Sequence, residues 1–565
     1  MATPTPPHLT GIERAILAGD IETAATGLAA ALQADPTDFE ARYWLASALQ
    51  MAGDEQGAAQ ALQVARNVHA LTLAQNLGVD LQRCATDGAY AEQIAAAFYA
   101  QHFVALASAI YGIAEQAGSA LTPQARLGHA LALQHQGRVS EAITVFRAVL
   151  QGQPSPAAQQ FLLYPHLLLS DPLAYADEAR AWAARHAASP AGPAITPPPL
   201  AGRKLRIGYV APSFTGTQVR QFIAPVLGAH DPDRVEVVLY PAQAEPEASW
   251  PAWIDINPIG HLDDAAAADL IRQDRIDVLA DCWGHTAGSR LPVFARRPAP
   301  VQVAWINFIQ TTGLDQMDYI LHADADEPVD LAGQFSEAIW PIGPVFNVFR
   351  PAYERLPPGD TPALASGVVT YGSFNHPCKL SDRTIALWGR TLQATPGTQL
   401  FLKYRYYVDP VLQRTTEARL AAWGVAPDRV LFEGESRGEE YLAAFNRIDL
   451  ALDTTPAPGS TTTLEALANG VPVLTLAGDP MTLQGFYARS MALAVGLPEL
   501  VARSPEQFVE RAVHLTADPV ALNTLRARVR PGFDTGPLRD EAGYARRIEA
   551  AFARMLERAR MARSG

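Results

Sequence analysis

Cysteine is nearly absent: Cys84, Cys282 and Cys378 are the three in 565 residues, far apart and odd in number. That excludes a disulfide framework and a structural zinc knuckle, and it suits a reducing compartment. Basic charge is also short, with 44 Lys and Arg against 58 Asp and Glu, so the net charge is −14. Nucleic acid is therefore not expected as a partner, because a phosphate backbone calls for a cationic surplus. No run reaches the roughly 18 apolar residues of a membrane span. The opening stretch MATPTPPHLTGIERAI lacks a basic segment leading into an apolar block, so neither a signal peptide nor a membrane partner is expected. These absences leave a cytoplasmic protein as the expectation. Its length exceeds what one hydrophobic core serves, which implies several domains.

What is present changes character along the chain. The first third is rich in Ala and Leu and almost free of strand patterns. Gly19 and Gly53 stand 34 apart (53 − 19), each followed in the same register by small and large apolar residues: Ala24, Leu28 and Ala31, then Ala58, Leu62 and Ala65. Pro36 closes the first unit, and a third copy starts at Gly137 with Ala142, Phe146 and Pro154. A 34-residue period of this kind is the tetratricopeptide signature, in which small residues let paired helices approach and large ones fill the groove. Residues 67–120 fit the period poorly and read as degenerate helical hairpins. Such arrays offer concave surfaces to extended partners.

After the Pro/Ala/Gly-rich linker the pattern becomes apolar strands alternating with helices. LRIGYVA, VEVVLY, IDVLADC and VQVAWIN form one series; VVTYGSFN, QLFLKY, RVLFEG, IDLALD and VPVLTLAG form a second. Buried strands separated by helices indicate parallel sheets covered on both faces. The expected organisation is helical repeats over 1–187, a linker at 188–203, Rossmann-like domains at 204–365 and 366–530, and a C-terminal helix at 531–565. Two such domains place the carboxyl ends of both sheets around one cleft. That suits a two-Rossmann glycosyltransferase, an epimerase or a two-lobed binding protein, and architecture alone does not choose.

The stretch LDTTPAPGSTTTLEALANG carries the chemistry. A strand stops at Asp453, and Ser460, Thr461 and Thr462 stand where a helix begins. The first amides of a helix lack intrahelical acceptors and carry the positive end of its dipole, so an anion is the natural guest. Glu465, one turn further in, suits the vicinal hydroxyls of a ribose; a plain N-cap with Glu465 assisting the helix start is the alternative. In GSFNHPCKLSDRT, the strand end delivers Asn375 and His376, and Lys379 follows just before a helix capped by Ser381 or Asp382. A lysine there can neutralise a leaving diphosphate. Lys403 and Arg405 could add charge contacts or form structural ion pairs. His285, at the end of IDVLADC, is a candidate general base, with a structural histidine bonded to backbone as the alternative. The Asp324–Asp326 DxD is not read as a metal site, since a lysine and a helix terminus can stabilise the leaving group.

Taken together, GHTAGSRLPVFARRPAPVQVAW, TTGLDQMDY, FSE, FNHPCKL and STTTLEAL, in this order, resemble the O-GlcNAc transferase family, including its SPINDLY-type bacterial members. The resemblance covers nearly the whole chain. It implies tetratricopeptide repeats followed by an α/β two-Rossmann (GT-B type) glycosyltransferase that moves a sugar, GlcNAc first, from a UDP-sugar to Ser or Thr of a protein. Transfer would be inverting, with no metal or other cofactor. By that resemblance Lys379 contacts the diphosphate, Ser460, Thr461 and Thr462 form the phosphate loop, and Glu465 meets the ribose. His376 joins the UDP-sugar side, while His285, Thr286, Asn307, Thr311 and Thr312 line the acceptor or sugar side. Several positions depart from the family pattern. Thr217 stands where a histidine is usual and Ser213 where an Asp-Phe pair begins. Asn307 replaces a glycine in NFIQTTG, and DPMTLQGFYARS reads longer than usual. UDP-glucose as donor, asparagine as acceptor, and a nucleotide-binding repeat scaffold without turnover remain open.

Overall fold

The computed structural model describes residues 8–52, 54–152, 155–188, 192, 195–243, 250–306, 309–324, 330–477 and 483–564. Two compact units emerge. One comprises Met1–Val145, His376–Cys378 and Gln399–Ser436; the other comprises Phe146–Asn375, Lys379–Thr398 and Arg437–Gly565.

In the first unit, helices Thr10–Leu17, Ile21–Ala34, Phe39–Met51 and Glu55–Asn76 are followed by Leu81–Thr86, Gly88–Ala100, Val104–Gln116 and Pro123–His135. Most pack on their sequence neighbours. Aspartates start several of them: the Asp20, Asp54 and Asp80 carboxylates accept from the amides of Thr23, Gly57 and Gln82. Gly19 and Gly137 take φ values of +74° and +81°, which a side chain would disfavour at these helix ends. Positions in register after these glycines are core: Ala24, Leu28, Ala58, Ala65 and Ala142 are buried, whereas Ala31 and Leu62 are only partly so. Gly53 and Pro154 lie outside the described residues. The period fails after residue 67 because one helix runs for 22 residues and the next for six.

The second unit opens with helices Pro156–Leu169 and Pro172–His186, and Trp182 of the latter is buried with Leu279 and Phe294 in the core of the first sheet. That sheet contains β1 (Leu205–Val210), β2 (Val235–Tyr240), β3 (Ile254–Ile256), β4 (Val278–Asp281), β5 (Val301–Ala304), β6 (Tyr319–His322) and β7 (Ala338–Pro341). Its order is β3-β2-β1-β4-β5-β6-β7, parallel throughout. β4 and β5 are buried at every residue, the pattern of strands covered on both faces. The second series contains β8 (Thr370–Ser373), β9 (Gln399–Lys403), β10 (Val430–Glu433), β11 (Leu450–Leu452), β12 (Val473–Leu476) and β13 (Val501–Ala502). β8, β11, β12 and β13 lie in that order in the second unit; β9 and β10 pair in parallel in the first.

The last helix, Glu541–Ser564, returns to the first sheet. Tyr544 is fully buried and accepts from the Trp305 indole at 3.2 Å. The Glu549 carboxylate meets the buried His230 ring at 3.0 Å, and His230 in turn meets the Tyr209 hydroxyl at 2.8 Å. Among the described residues, no helix is long and apolar enough to cross a membrane.

Candidate active site

A cavity of about 390 Å³ in the second unit collects residues that follow four parallel strands. Cys282, Trp283 and Thr286 come after β4, Ile306 and Ile309 after β5, Lys379 after β8, and Pro458, Ser460 and Thr461 after β11. The carboxyl ends of open parallel sheets are where such folds bind ligands.

The loop after β11 is built around Asp453, which is 2% exposed. Its Oδ1 accepts from the amides of Thr454 at 2.9 Å and Gly459 at 2.6 Å, and its Oδ2 accepts from the Thr475 hydroxyl at 2.9 Å. Burial raises this carboxyl above the ordinary range, opposed by those bonds and by the nearby Lys379 charge. The hydroxyls of Ser381 and Thr384 both donate to the Thr455 carbonyl at 2.6 Å, and the Trp388 indole donates to the Asp453 carbonyl at 3.1 Å. A side chain at residue 459 has no room, since a Cβ would fall 2.2 Å from Thr463 Oγ1. The loop is thus rigid from behind and presents its far side to the cavity.

Lys379 Nζ donates to the Pro458 carbonyl at 2.6 Å. Three residues on, the helix Thr461–Ala468 begins. Its N-cap residue Ser460 makes no side-chain capping bond; its hydroxyl lies 2.8 Å from the Tyr487 hydroxyl. Among the described residues, no acceptor meets the amides of Thr461 and Thr462. An ammonium group and a helix N-terminus therefore share one wall, an arrangement that stabilises a polyanion.

A model of glycosyl transferase family 41 matches residues 195–348 and 360–548. The chain belongs to this family. Among curated relatives, a SPINDLY protein of Oryza sativa subsp. japonica, named a probable UDP-N-acetylglucosamine–peptide N-acetylglucosaminyltransferase, is 33% identical over 373 residues. The match covers 64% of this chain and 40% of that protein. The Solanum lycopersicum protein of the same name is 34% identical over 369 residues, covering 63% and 39%. The chain thus spans about 40% of the length of the curated relatives it matches. A solved structure of a mutant Thermobaculum terrenum O-GlcNAc transferase is 27% identical and covers 100% of both chains at a TM-score of 0.69. Repeats followed by two parallel sheets of the GT-B type are therefore the fold of this family 41 chain.

The positions assigned from the family resemblance divide into two groups. Lys379, Ser460, Thr461 and Thr286 line the cavity. Thr286 is held by its hydroxyl donating to the Trp283 carbonyl at 2.7 Å. Thr462 lies beside them, but its hydroxyl donates to Asn375 Oδ1 at 2.9 Å. Glu465 does not line the cavity: its carboxylate accepts from Gln221 at 3.2 Å and Tyr441 at 2.6 Å, and burial raises its pKa. It does not assist the helix start either. Of the two candidate caps for the helix Asp382–Ala394, Ser381 is the N-cap, accepting from the Thr384 amide at 3.0 Å.

Others are placed differently from the expectation. His376 groups with the first unit, its Nδ1 accepting from the Cys378 amide at 3.0 Å and its ring 4.6 Å from Tyr404 and 4.9 Å from His135. His285 is not in the cavity. Gly284, at φ +52°, turns the chain after β4, and the imidazole is buried against Trp182, with Nε2 donating to the Thr312 carbonyl at 2.8 Å. Thr311 and Thr312 are buried on Glu337: the Thr311 hydroxyl donates to it at 2.6 Å and the Thr312 amide at 2.7 Å. These three residues lie behind the loop that carries Ile309 and do not line the 390 Å³ cavity. Lys403 is a structural cation in the first unit, paired with Glu433. Asn307 and Asp326 lie outside the described residues, as does the Thr217 side chain; Asp324 accepts from the Gly343 amide at 3.1 Å. Among the described residues, no group of three His, Cys, Asp or Glu could hold a metal ion. Sequence reasoning missed Tyr487, Asn347 and Gln484, which also line the cavity; the unusual DPMTLQGFYARS stretch was the one signal for two of them.

Burial pulls His285 down to about 4, and His322 likewise to about 4, each partly offset by a backbone hydrogen bond. At these two sites the unfolded chain then binds more protons than the folded one between about pH 4 and the ordinary histidine range near 6.5, so each contributes stability that rises with pH there. Relative to the parent, His285→Asn should lose less melting temperature as pH drops from 7 to 5, while shifting kcat little.

Proposed function

We propose that the chain is an inverting, metal-independent protein glycosyltransferase that transfers a sugar, GlcNAc first, from a UDP-sugar to Ser or Thr of an acceptor protein. The observation that carries this reading is Lys379 beside the N-terminus of the helix Thr461–Ala468 on one wall of a 390 Å³ cavity. The names of the SPINDLY relatives and of the Thermobaculum structure point the same way.

An acceptor hydroxyl attacks the anomeric carbon from the face opposite UDP and gives up its proton to solvent, the C–O bond to the diphosphate breaks, and the configuration inverts. Negative charge gathers on the diphosphate as it leaves. The Lys379 ammonium meets phosphate oxygens from beside the loop, while the Thr461 and Thr462 amides meet others. Preorganised donors of this kind act where charge develops. His285 is left out of the proton transfer by its burial. The apolar wall of Phe222, Ile306, Ile309 and Phe346 keeps water from the anomeric carbon. The helical repeats present acceptor proteins, and the cytoplasm is the compartment where a UDP-sugar and such acceptors meet.

The test is incubation with radiolabelled UDP-GlcNAc or UDP-glucose and candidate acceptor proteins, with and without EDTA. Protein labelling from UDP-GlcNAc that EDTA leaves unchanged is expected. Loss of labelling in EDTA would overturn the metal-independent part; label from UDP-glucose alone would change the donor; UDP binding with no labelling would make the chain a scaffold.

A further inference from the structure

Tyr487 enters the cavity from the helix Leu483–Ala494 and comes from outside every motif that marks the donor site. Its side chain is 4% exposed and packs edge-on against Phe346, ring centres 5.6 Å apart at 86°. That packing fixes where its hydroxyl points: to Ser460 Oγ, 2.8 Å away. A serine at an N-cap ordinarily accepts from the second or third amide of its helix, and Ser460 makes no such bond. The serine hydroxyl meets the tyrosine and not the helix, which leaves the amides to a ligand and both side chains on the cavity wall.

We propose that Tyr487 is a positioning residue of the donor subsite: by donating to Ser460 Oγ it orients and polarises the Ser460 hydroxyl, which in turn donates to the diphosphate of the bound nucleotide sugar. The inference rests on the cavity being the UDP-sugar site. Burial, reinforced by the Asp453 charge, pushes the Tyr487 phenol up to about 12, so it remains a proton donor throughout any working pH range. Two hydroxyls in contact cannot both donate to each other. With Tyr487 donating, the serine proton is left for the anion, and each bond in such a chain strengthens the next.

The experiment measures donor KM, kcat and UDP affinity for Tyr487→Phe, Ser460→Ala, Ser460→Thr and the double variant Tyr487→Phe/Ser460→Ala. Tyr487→Phe keeps the ring and its packing, so its melting temperature should stay near that of the parent. Each single loss is expected to lower kcat by up to about tenfold, the worth of one hydrogen bond. The double variant should fall no further than either single one, and Ser460→Thr, which keeps a hydroxyl, should retain most of the activity. Parental kcat in Tyr487→Phe, or losses that multiply in the double variant, would overturn the proposal while leaving the donor site standing. A parent chain that binds no UDP in calorimetry removes the donor-site reading itself.

Discussion

Lys379→Ala is expected to lower turnover by about 10²–10³-fold, the range for deleting one preorganised donor to developing charge, with the fold unchanged. The reasoning follows from where the ammonium sits. Its Nζ is 2.6 Å from the Pro458 carbonyl, three residues before the helix whose first amides complete the anion site. A carbonyl that loses this donor remains at the edge of a cavity, open to water, so little stability is lost. Transition-state charge on the diphosphate loses the fixed Lys379 cation, and no backbone amide substitutes for a full charge. Lys379→Arg should recover only part of the rate, because a planar guanidinium cannot occupy the place of a compact ammonium. Single-turnover kinetics with UDP-GlcNAc, beside a thermal melt, checks both halves. Turnover near that of the parent in Lys379→Ala would refute the role.

The second large effect is expected from Asp453→Ala, and here stability and binding fall together. That carboxylate accepts from two amides and a hydroxyl, all buried. Removing it strands three donors without water, a loss of about 3–5 kcal/mol when such groups each cost roughly 1–3 kcal/mol. The Gly459 amide is released next to Ser460, so the loop that presents the cavity wall loses its anchor, and UDP affinity should drop by at least about tenfold. Asp453→Asn retains an acceptor for one side of the network and should lie between. Denaturant unfolding and UDP titration of the three proteins decide it; an Asp453→Ala protein as stable as the parent would show that the loop is held from elsewhere.

Much of this architecture was legible because parallel strands buried on both faces are unbroken apolar runs. LRIGYV, VEVVLY and VLTL were readable for that reason, and β1, β2 and β12 form there. β3 and β13, of three and two residues, carry too little pattern to be seen alone. The cavity wall was readable for a related reason: Lys379 and Ser460 follow strand ends and precede helix starts, so local chain direction nearly determines their place. His285, Thr311 and Thr312 also follow strand ends, and the same logic failed for them. What takes them inward is Glu337, some 25 residues away in sequence, together with a turn through Gly284. Polar residues satisfied by a distant buried carboxylate look, in sequence, like residues awaiting a substrate. Tyr487 was hidden for the opposite reason. The unusual DPMTLQGFYARS stretch marks its neighbourhood, but nothing in it distinguishes a core tyrosine from one whose hydroxyl reaches a loop 27 positions earlier.

The return of the final helix has a consequence for how the polypeptide assembles. Tyr544 and Glu549 close contacts with Trp305 and His230, which were synthesised 239 and 319 positions earlier. The amino-terminal sheet therefore waits, with one flank open, until the ribosome has finished everything between. Non-local closure of this order slows folding and prolongs exposure of apolar surface, so chaperone demand during synthesis should concentrate on the first sheet rather than on the lobe made last.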